Sequence, residues 1–209
     1  MYFCGMNAES LKKFEILLEK SKPYKALLYD VDGTLANNMA AHKAAYVAAA
    51  AVHGIDNLND DIVQELAGWP TVDVAAEIGR RYERDIDVLA FARTKSGIFV
   101  DEFIQQTEPI DYVLQHLLEH VGKKKIGIVS GGSRATVSIT LDVIKVTGKF
   151  ETLVCAGETP EGKPSPQPFL LAAEQLGVAP EDCLVFEDGD PGVQGAIAAG
   201  MGWVRIDQI

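Results

Sequence analysis

Four short fragments carry the polar side chains whose types and spacing in this sequence suit a chemical reaction. They are Asp-Val-Asp-Gly-Thr at residues 30–34, Ser-Gly-Gly at 130–132, Lys-Pro at 163–164 and Glu-Asp-Gly at 187–189. Three of them directly follow an apolar segment, and Lys-Pro belongs to a loop. The carboxyl ends of parallel strands meet at one edge of a sheet, where open α/β folds bind ligands. We therefore expect all four fragments at one sheet edge.

The two acidic fragments predict a carboxylate nucleophile assisted by a metal ion. A carboxylate attacks phosphorus only when the repulsion between the two anions is cancelled, which is the usual role of a magnesium ion bound by oxygen ligands. We predict that Asp30 is the nucleophile and shares Mg²⁺ with Asp188 and with the backbone carbonyl of Asp32. Glu187 is predicted to support these ligands from behind. The product of attack is an aspartyl phosphate, a covalent intermediate that divides the reaction into two steps.

Asp32 is predicted to be the general acid and base. It lies two residues beyond Asp30, so along an extended backbone both side chains point to the same side. In this interpretation it protonates the leaving alkoxide and then takes a proton from the water that hydrolyses the aspartyl phosphate. Gly33 permits the sharp turn that follows.

The other two fragments predict a site for the transferring phosphoryl group. Phosphoryl transfer requires mainly positioning and neutralisation of the equatorial oxygens. Ser130 offers a hydroxyl, and the glycines after it, Gly131 and Gly132, offer backbone N–H groups. Lys163 offers a positive charge that Pro164 holds in place.

Each fragment also has a purely structural interpretation. Asp-x-Asp-Gly after a strand is typical of a turn with Asx hydrogen bonds. Ser-Gly-Gly is typical of a loop before a helix, with Ser133 as the N-cap, and Lys163 resembles a solvated loop lysine. Glu-Asp-Gly-Asp-Pro is typical of a helix start, and we assign Asp190 to the N-cap alone, with Pro191 as the first helical residue. The four fragments together, in this order at strand ends, favour a site.

Hydrophobic periodicity outside the fragments predicts an α/β protein. A helix is predicted at residues 10–20 and a strand at 26–29, and then helices alone at 40–53, 60–66, 72–82 and 88–105. Later helices are predicted at 112–120, 134–146, 166–176 and 191–199, alternating with strands at 125–130, 152–156, 183–187 and 203–206. We predict a Rossmann-like parallel sheet with helices on both faces, formed by residues 1–35 and 108–209, and an inserted all-helical cap at 36–107.

Composition favours a small molecule as the partner. The 209 residues contain 19 Lys and Arg against 30 Asp and Glu, a net charge of −11, which argues against binding to nucleic acid. The Ala-rich segment at residues 44–52 is far shorter than a membrane span, so no membrane partner is expected. The oligomeric state has no signature in the sequence.

Cysteine usage and the first residues predict a cytoplasmic location. Cys4, Cys155 and Cys183 show no paired or metal-binding spacing, so we interpret them as buried thiols in a reducing compartment. Residues 1–6 lack the basic flank and the long apolar segment of a signal peptide.

At these fragments the chain resembles the haloacid dehalogenase superfamily, in particular its phosphatase and β-phosphoglucomutase-like branch. The resemblance extends from Ala26 to Ile206 through Asp-Val-Asp-Gly-Thr-Leu, Val-Ser-Gly-Gly-Ser, Gly-Lys-Pro-Ser-Pro-Gln-Pro-Phe and Val-Phe-Glu-Asp-Gly-Asp-Pro-Gly-Val-Gln-Gly-Ala. It implies the same roles: Asp30 as nucleophile, Asp32 as acid and base, Ser130 and Lys163 as phosphate ligands, and Asp188 as a magnesium ligand.

Asp32 also separates the chemistries of this superfamily, since the dehalogenases lack the second aspartate and have no alkoxide to protonate. Residues 66–71, Leu-Ala-Gly-Trp-Pro-Thr, and residues 186–200 look most like sugar-phosphate phosphatases of the fructose-1-phosphate kind. β-Phosphoglucomutases carry a cap arginine near this loop, where the present chain aligns Thr71. Many relatives have an acidic residue followed by Ser or Thr in place of Asn37 and Asn38, which alters the polarity of the hinge.

Several residues of the cap and entrance are candidate substrate contacts, each with a structural alternative. His42 falls where mutase relatives place a histidine beside the acid and base, or it belongs to a helix face. Trp69 either packs in the cap or covers the substrate. Arg134 opens the helix after the phosphate loop and either reaches the substrate or is solvated. Asn38 is either an entrance residue or the N-cap of the first cap helix.

The sequence therefore predicts a magnesium-dependent phosphatase for a small sugar phosphate or a related phosphomonoester, with a cap that closes over the site. One alternative is a phosphomutase, in which a second substrate hydroxyl accepts the phosphoryl group in place of water. Another is a noncatalytic, phosphorylatable module of receiver type, which requires neither Asp32 nor a helical cap.

Overall fold

A five-stranded parallel sheet forms the centre of the larger part of the molecule. The computed structural model describes residues 6–209, so the interpretations of Cys4 and of the segment before Met6 lie outside the described residues. The helices are α1 Ala8–Ser21, α2 Met39–Val52, α3 Asp61–Glu65, α4 Thr71–Arg81, α5 Val88–Ile98, α6 Asp111–His120, α7 Arg134–Val143, α8 Gln167–Leu176 and α9 Asp190–Ala198. The strands are β1 Ala26–Tyr29, β2 Ala36–Asn37, β3 Glu108–Pro109, β4 Lys125–Val129, β5 Thr152–Val154, β6 Cys183–Glu187 and β7 Gly202–Arg205.

The first strand of the chain occupies the middle of the sheet, whose order is β5-β4-β1-β6-β7. All four residues of β1 are fully buried, which explains why this strand is a continuous apolar segment and does not alternate. Tyr29 pairs with Ile128 on one side and with Phe186 on the other. The strands β1, β4 and β6 therefore end at the same level, and the polar fragments that follow them meet there.

Side chains of β1 point alternately to two apolar clusters, as the two-residue period of a strand requires. Leu27 and Tyr29 belong to the cluster that includes buried residues of α1, α6 and α7. Ala26 and Leu28 belong to the cluster formed with α8 and α9. The predicted fold class, a parallel α/β sheet with helices on both faces, is confirmed.

Helices α2 to α5 lie between β2 and β3 and share an apolar cluster of their own. The short antiparallel pair of β2 with β3 closes this insertion at its base. The pair of β2 with β3 was not predicted, because strands of two residues are too short to show a periodic pattern. The helix predicted at residues 88–105 is α5 only as far as Ile98, and it continues as a π-helical turn, Phe99–Phe103, and a 3₁₀ turn, Ile104–Gln106. The division into a core and a cap at residues 36–107 stays a prediction.

The two predicted N-caps have different outcomes. Ser133 caps α7 as expected, since its hydroxyl accepts a hydrogen bond from the N–H of Thr136. The assignment of Asp190 to the N-cap of α9 is wrong: Gly189 occupies that position, and Asp190 lies inside the first turn. The Asp190 carboxylate instead accepts a hydrogen bond from Arg205 of the neighbouring strand β7. Its partner is therefore a charged side chain from another element and not a backbone N–H of its own helix.

Two further observations bear on the sequence-based interpretation. Cys155 and Cys183 are free and buried, as expected. Among residues 6–209, none of the helices combines the length and the apolar character that crossing a bilayer would require.

A buried histidine links the sheet to the helices on one face. His116 of α6 is fully buried, and its Nδ1 lies 2.9 Å from the Tyr29 hydroxyl while its Nε2 lies 2.7 Å from the Ser21 hydroxyl. The Ser21 hydroxyl also donates to the Leu17 carbonyl at 2.7 Å, so His116 donates from Nε2 and accepts at Nδ1. Burial, followed by the nearby His120, lowers the pKa of His116 to about 3, and the ring is neutral.

Acid is therefore expected to weaken the fold through His116. The folded pKa lies below the unfolded value, so the unfolded chain binds the extra proton and stability is lost as the pH falls below the unfolded pKa of 6.5. Between about pH 7 and about pH 5 this loss amounts to roughly 2 kcal/mol. Urea unfolding at both pH values measures it, with His116→Gln as the neutral control. Equal acid sensitivity in the two proteins would contradict the prediction.

Candidate active site

Lys163 joins the ends of three neighbouring strands. Its Nζ lies 2.7 Å from Asp30 Oδ1, 2.5 Å from Glu187 Oε1 and 2.9 Å from the carbonyl oxygen of Val129. Lys163, Asp30 and Glu187 are all almost completely buried. A lone buried ammonium is costly, but here its three donors meet three acceptors. The arrangement brings together the residues after β1, β4 and β6, as the strand register requires.

Ion pairing, and not exposure, keeps this lysine charged. Burial alone would lower the pKa of Lys163, but the charges of Asp30 and Glu187 and their hydrogen bonds raise it above its ordinary value. Burial also raises the pKa of Asp30, and the charge of Lys163 opposes that effect. The lysine thus holds Asp30 in place and stabilises its ionised form.

Three carboxylates crowd together beside the lysine. Asp30, Glu187 and Asp188 each offer one oxygen, and these oxygens all lie within 4.8 Å of one another. Burial, and then the charge of Asp30, raise the pKa of Glu187 to about 8 and that of Asp188 to about 7. One ammonium therefore does not neutralise the cluster. Its donors are hard carboxylate oxygens, the ligands that Mg²⁺ and Ca²⁺ prefer, so the cluster fits a divalent cation.

The members of this cluster differ in part from the predicted metal ligands. Asp30 and Asp188 belong to it as expected, and the Glu187 carboxylate lies among the ligand oxygens and not only behind them. The side chain of Asp32 is not a member of the cluster. The predicted ligand from Asp32 is its backbone carbonyl, and that assignment stays a prediction.

Two glycines make room for the acidic side chains. Gly33 has φ +88°, and a Cβ there would lie 2.1 Å from Asp188 Oδ2. Both the left-handed backbone and the close approach exclude a larger residue. At the start of α9, a Cβ on Gly192 would lie 2.0 Å from Glu187 Oε1. The Glu187 carboxylate therefore rests against the N-terminal turn of α9, where the helix dipole favours negative charge.

The predicted phosphate loop follows β4 beside the lysine. Ser130 is buried, and its hydroxyl accepts a hydrogen bond of 3.1 Å from the N–H of Gly132. This bond curves the loop so that its backbone lies next to Asp32, since a Cβ on Gly132 would be 3.9 Å from Asp32 Oδ2. Asp30, Asp32, Ser130 and Gly131 line one cavity, and Lys163 contacts Asp30 beside it. The roles of these residues in binding and catalysis stay predictions.

A loop of the inserted helices, residues 67–70, covers the site and presses on a glycine of each core loop. A Cβ on Gly131 would lie 2.3 Å from the Gly68 carbonyl oxygen, and one on Gly162 would lie 2.4 Å from Pro70 Cγ. A Cβ on Gly189 would lie 3.1 Å from the Ala67 carbonyl oxygen. Each glycine adjoins a predicted site residue, so the loop closes directly over the site.

Asp32 faces the inserted helices and not the acidic cluster. The Asn38 amide donates to Asp32 Oδ1 at 2.6 Å, and His42 Nε2 lies 3.1 Å from the same oxygen, off the line of an ideal hydrogen bond. Burial would raise the pKa of Asp32, but His42, Asn38 and the charge of Lys95 together lower it below the ordinary value. Asn38 is the N-cap of α2 by position only, since its side chain makes no capping hydrogen bond.

Lys95, which was not predicted from the sequence, completes the group of side chains around Asp32. Its Nζ lies 2.6 Å from His42 Nδ1 and 4.6 Å from the centre of the Tyr46 ring. Lys95 is buried, and no ion pair with a carboxylate is formed by it within residues 6–209. Burial lowers its pKa to about 8. Its spacing is the one sign of burial in the sequence: Lys95 stands four residues after Phe91 and four before Phe99, so it lies on the apolar face of the helix.

The remaining predicted contacts have separate outcomes. Trp69 packs against the apolar cluster of α2 to α5 and also lines the cavity above Asp30 and Asp32, so its role over a substrate stays a prediction. His42 lines the same cavity. Arg134 is half-exposed and binds Glu158 at 2.6 Å and the Leu153 carbonyl at 2.6 Å. These contacts favour the solvated alternative for Arg134.

Comparison with known proteins gives the family and the fold. The model of the haloacid dehalogenase-like hydrolase family matches residues 27–206. Fructose-1-phosphate phosphatase YqaB of Escherichia coli is 32% identical over 185 residues, which cover 88% of this chain and 96% of that relative. Validoxylamine A 7'-phosphate phosphatase of Streptomyces hygroscopicus is 26% identical over 179 residues, covering 85% of this chain and 83% of that one.

Solved structures show the same architecture. A hydrolase from Pseudomonas syringae superposes with a TM-score of 0.78 at 22% identity, covering 86% of this chain and 83% of that one. β-Phosphoglucomutase from Clostridium difficile gives a TM-score of 0.75 at 24% identity, with coverage of 86% and 83%. At such identities the likeness shows the fold alone.

The seating of residues 67–70 on Gly131 predicts that Gly131→Ala displaces this loop. The added methyl group meets the Gly68 carbonyl, and overpacking of this kind costs about 1–3 kcal/mol unless the loop moves away. Trp69 then becomes more accessible, which acrylamide quenching of its fluorescence measures in a Trp203→Phe background. Gly97→Ala is the matched control, because nothing lies within 4 Å of its Cβ position. Equal quenching in both variants would refute the prediction.

Proposed function

The chain belongs to the haloacid dehalogenase-like hydrolases and is a phosphoric monoester hydrolase of that family, and we propose that it is a magnesium-dependent phosphatase of small sugar phosphates. The proposed reaction proceeds through an aspartyl phosphate on Asp30. The observation that carries the proposal is the pairing of two differently held aspartates around one space. Asp30 is bound by Lys163 in the core, and Asp32 is held from the cap side by Asn38 and His42.

In the first step the Asp30 carboxylate attacks phosphorus and the bond to the sugar oxygen breaks. Lys163 orients the attacking carboxylate, and the Ser130 hydroxyl and the N–H groups after it bind the equatorial oxygens as charge shifts during transfer. The buried position of these donors excludes water, which strengthens each interaction with the phosphoryl oxygens.

Asp32 supplies the proton to the leaving alkoxide and later removes one from the attacking water. Its lowered pKa suits the second role, since the carboxylate is ionised when the water must be activated. For the first role it must enter the step protonated. The hydrogen bond from Asn38 and the adjacent His42 ring fix the direction of the carboxylate in both.

Asp30, Asp188 and Glu187 are the residues that would hold a divalent ion, together with the Asp32 backbone carbonyl. When bound, such an ion neutralises the repulsion between the carboxylate and the phosphate dianion. Magnesium is our choice because it is usually bound through a few carboxylates together with the phosphate of a substrate, whereas calcium takes more protein ligands. The crowding of three carboxylates around one lysine supports this proposal.

The cavity under the cap supports a small polar leaving group. Above the aspartates its walls combine apolar side chains with hydroxyls, among them those of Tyr46 and Thr71, and the wall cation Lys95 already contacts His42. Burial raises the pKa of Tyr46, and Thr71 is its hydrogen-bond partner. Thr71 stands where the mutase resemblance requires a cationic residue for a second phosphate. We therefore propose hydrolysis and not phosphomutation, with a sugar monophosphate or a related phosphomonoester as the substrate.

We also propose the division of the chain into a core, residues 1–35 and 108–209, and a cap, residues 36–107, that opens to admit substrate. The two buried free thiols support a reducing, cytoplasmic location.

Substitution of the nucleophile is the first test. Asp30→Asn is expected to reduce phosphate release by at least roughly 10³-fold, because the amide oxygen is a poor nucleophile. The measurement is a screen with magnesium across fructose 1-phosphate, 6-phosphogluconate, β-glucose 1-phosphate, phosphoglycolate and pyrophosphate. Asp190→Asn is the matched control, an exposed acid at the same sheet edge. Undiminished turnover in Asp30→Asn would exclude the aspartyl phosphate.

Two further assays, of glucose 6-phosphate formation and of p-nitrophenyl phosphate turnover, separate the alternatives. A phosphomutase would convert β-glucose 1-phosphate to glucose 6-phosphate when a bisphosphate activator is present. A noncatalytic receiver-like module would not turn over p-nitrophenyl phosphate at all.

Magnesium is expected to stabilise the folded protein through the acidic cluster. At about 100 times Kd, binding contributes about 3 kcal/mol, which raises Tm by several degrees. Asp188→Asn is expected to lose most of this rise and Asp190→Asn to keep it, because only Asp188 belongs to the cluster. Thermal unfolding with and without Mg²⁺ measures the effect. An equal rise in both variants would place the ion elsewhere.

A further inference from the structure

The imidazole ring of His42 lies flat on the ring of Phe99. The ring centres are 4.0 Å apart and the planes differ by 15°. Phe99 is completely buried, with Ala45 and Ile104 as its cluster neighbours. The side chain of Phe99 has no charged or hydrogen-bonding atom. It can therefore contribute to the site only by orienting the His42 ring that stacks on it.

The helix geometry places Phe99 beside the series of contacts that joins Lys95, His42 and Asp32. Lys95 and Phe99 are four residues apart, so they share one face of α5 and its continuation. The chain changes from α-helix to a π-helical turn at Phe99. Such turns are rare and occur frequently at functional sites. The change occurs where the cap chain returns toward the core, directly under His42.

The stacking contact fixes the plane of the His42 ring. In that plane Nδ1 lies 2.6 Å from Lys95 Nζ and Nε2 lies 3.1 Å from Asp32 Oδ1. A rotation of the ring about its bond to Cβ would break both contacts at once. The terminal torsion of histidine has a broad energy profile, so the ring requires an external surface to hold it.

The same phenylalanine also faces the ammonium group. Lys95 Nζ lies 5.3 Å from the centre of the Phe99 ring. A cation within about 6 Å of an aromatic face is attracted to it, more strongly when water is excluded. Phe99 therefore contacts two members of the Lys95, His42 and Asp32 series and favours the arrangement in which all three meet.

We propose that Phe99 is a positioning residue for the acid and base step, acting on Asp32 through the orientation of His42. This inference rests on the proposed function, because it assumes that Asp32 transfers the proton. It assigns to a buried apolar side chain an effect on the proton transfers of Asp32, and kcat/KM isolates the first of them, the protonation of the leaving group. A residue that only fills the cap core would affect stability without selecting a step.

Leaving groups of different basicity test this inference. Departure of a sugar alkoxide requires a proton from Asp32, whereas departure of p-nitrophenolate does not. Phe99→Leu is expected to lower kcat/KM for the best sugar phosphate of the screen by roughly ten- to a hundredfold, because kcat/KM reports the steps up to formation of the aspartyl phosphate. For p-nitrophenyl phosphate kcat/KM is expected to remain within about twofold, since this leaving group needs no proton and the nucleophile and the phosphate ligands are untouched.

Phe91→Leu is the matched control. Phe91 is also completely buried on α5, but its ring neighbours are Tyr46 and His53 and not His42. It is expected to lose stability like Phe99→Leu and to retain the ratio of kcat/KM between the two substrates. Phe99→Tyr, which keeps the aromatic face, is expected to restore the native ratio. An equal loss of kcat/KM on both substrates, or the same ratio in the two leucine variants, would overturn the proposal.

A spectroscopic measurement makes the test independent of turnover. The ring nitrogen signals of His42, assigned by their loss in His42→Asn, are expected to report one fixed tautomer in the native protein and in Phe91→Leu. In Phe99→Leu they are expected to shift toward the average of both tautomers. Unchanged signals would overturn the positioning role. Absence of phosphate release from every substrate by the native protein would instead overturn the proposed function.

Discussion

The contact of Lys163 with two buried carboxylates is the interaction on which the rest of the site depends. Asp30 and Glu187 follow and end neighbouring strands, so the register of the sheet forces their charges together. Without the ammonium between them, the uncompensated buried charge would cost several kcal/mol. Even with it, Asp188 adds a third carboxylate that the lysine does not balance. The fold therefore maintains an excess of negative charge at the place where we propose that a cation and the substrate bind.

The second half of the site belongs to the inserted helices. Asp32 follows Asp30 by two residues, yet its carboxylate is held by Asn38 and His42 and not by the acidic cluster. The two aspartates are thus close in sequence, but different side chains hold their carboxylates. This separation allows one carboxylate to act as a nucleophile and the other to exchange protons. Any movement of α2 relative to the sheet would alter the second carboxylate and leave the first in place.

Glycines at the core loops make this arrangement sterically possible. Gly131, Gly162 and Gly189 each leave space for one part of the loop at residues 67–70. They adjoin Ser130, Lys163 and Asp188, so the surfaces that contact this loop are continuous with the proposed substrate-binding residues. The cavity above the aspartates is bounded by both parts of the chain.

The amino-acid sequence by itself determined the sheet, the sheet edge and the residues that meet there. These follow from local patterns: apolar segments such as Ala26–Tyr29, the polar residues directly after them, and the alternation of helices with strands. Asp190 and Arg134 show the limit of local reasoning, because distant partners, Arg205 and Glu158, decided their orientation. Only the tertiary structure revealed Lys95 and Phe99 as neighbours of His42, which in turn contacts Asp32. Lys95 and His42 are 53 positions apart in the sequence and meet through the packing of α5 on α2, and nothing in local periodicity distinguishes a lysine that turns inward from one that is solvated.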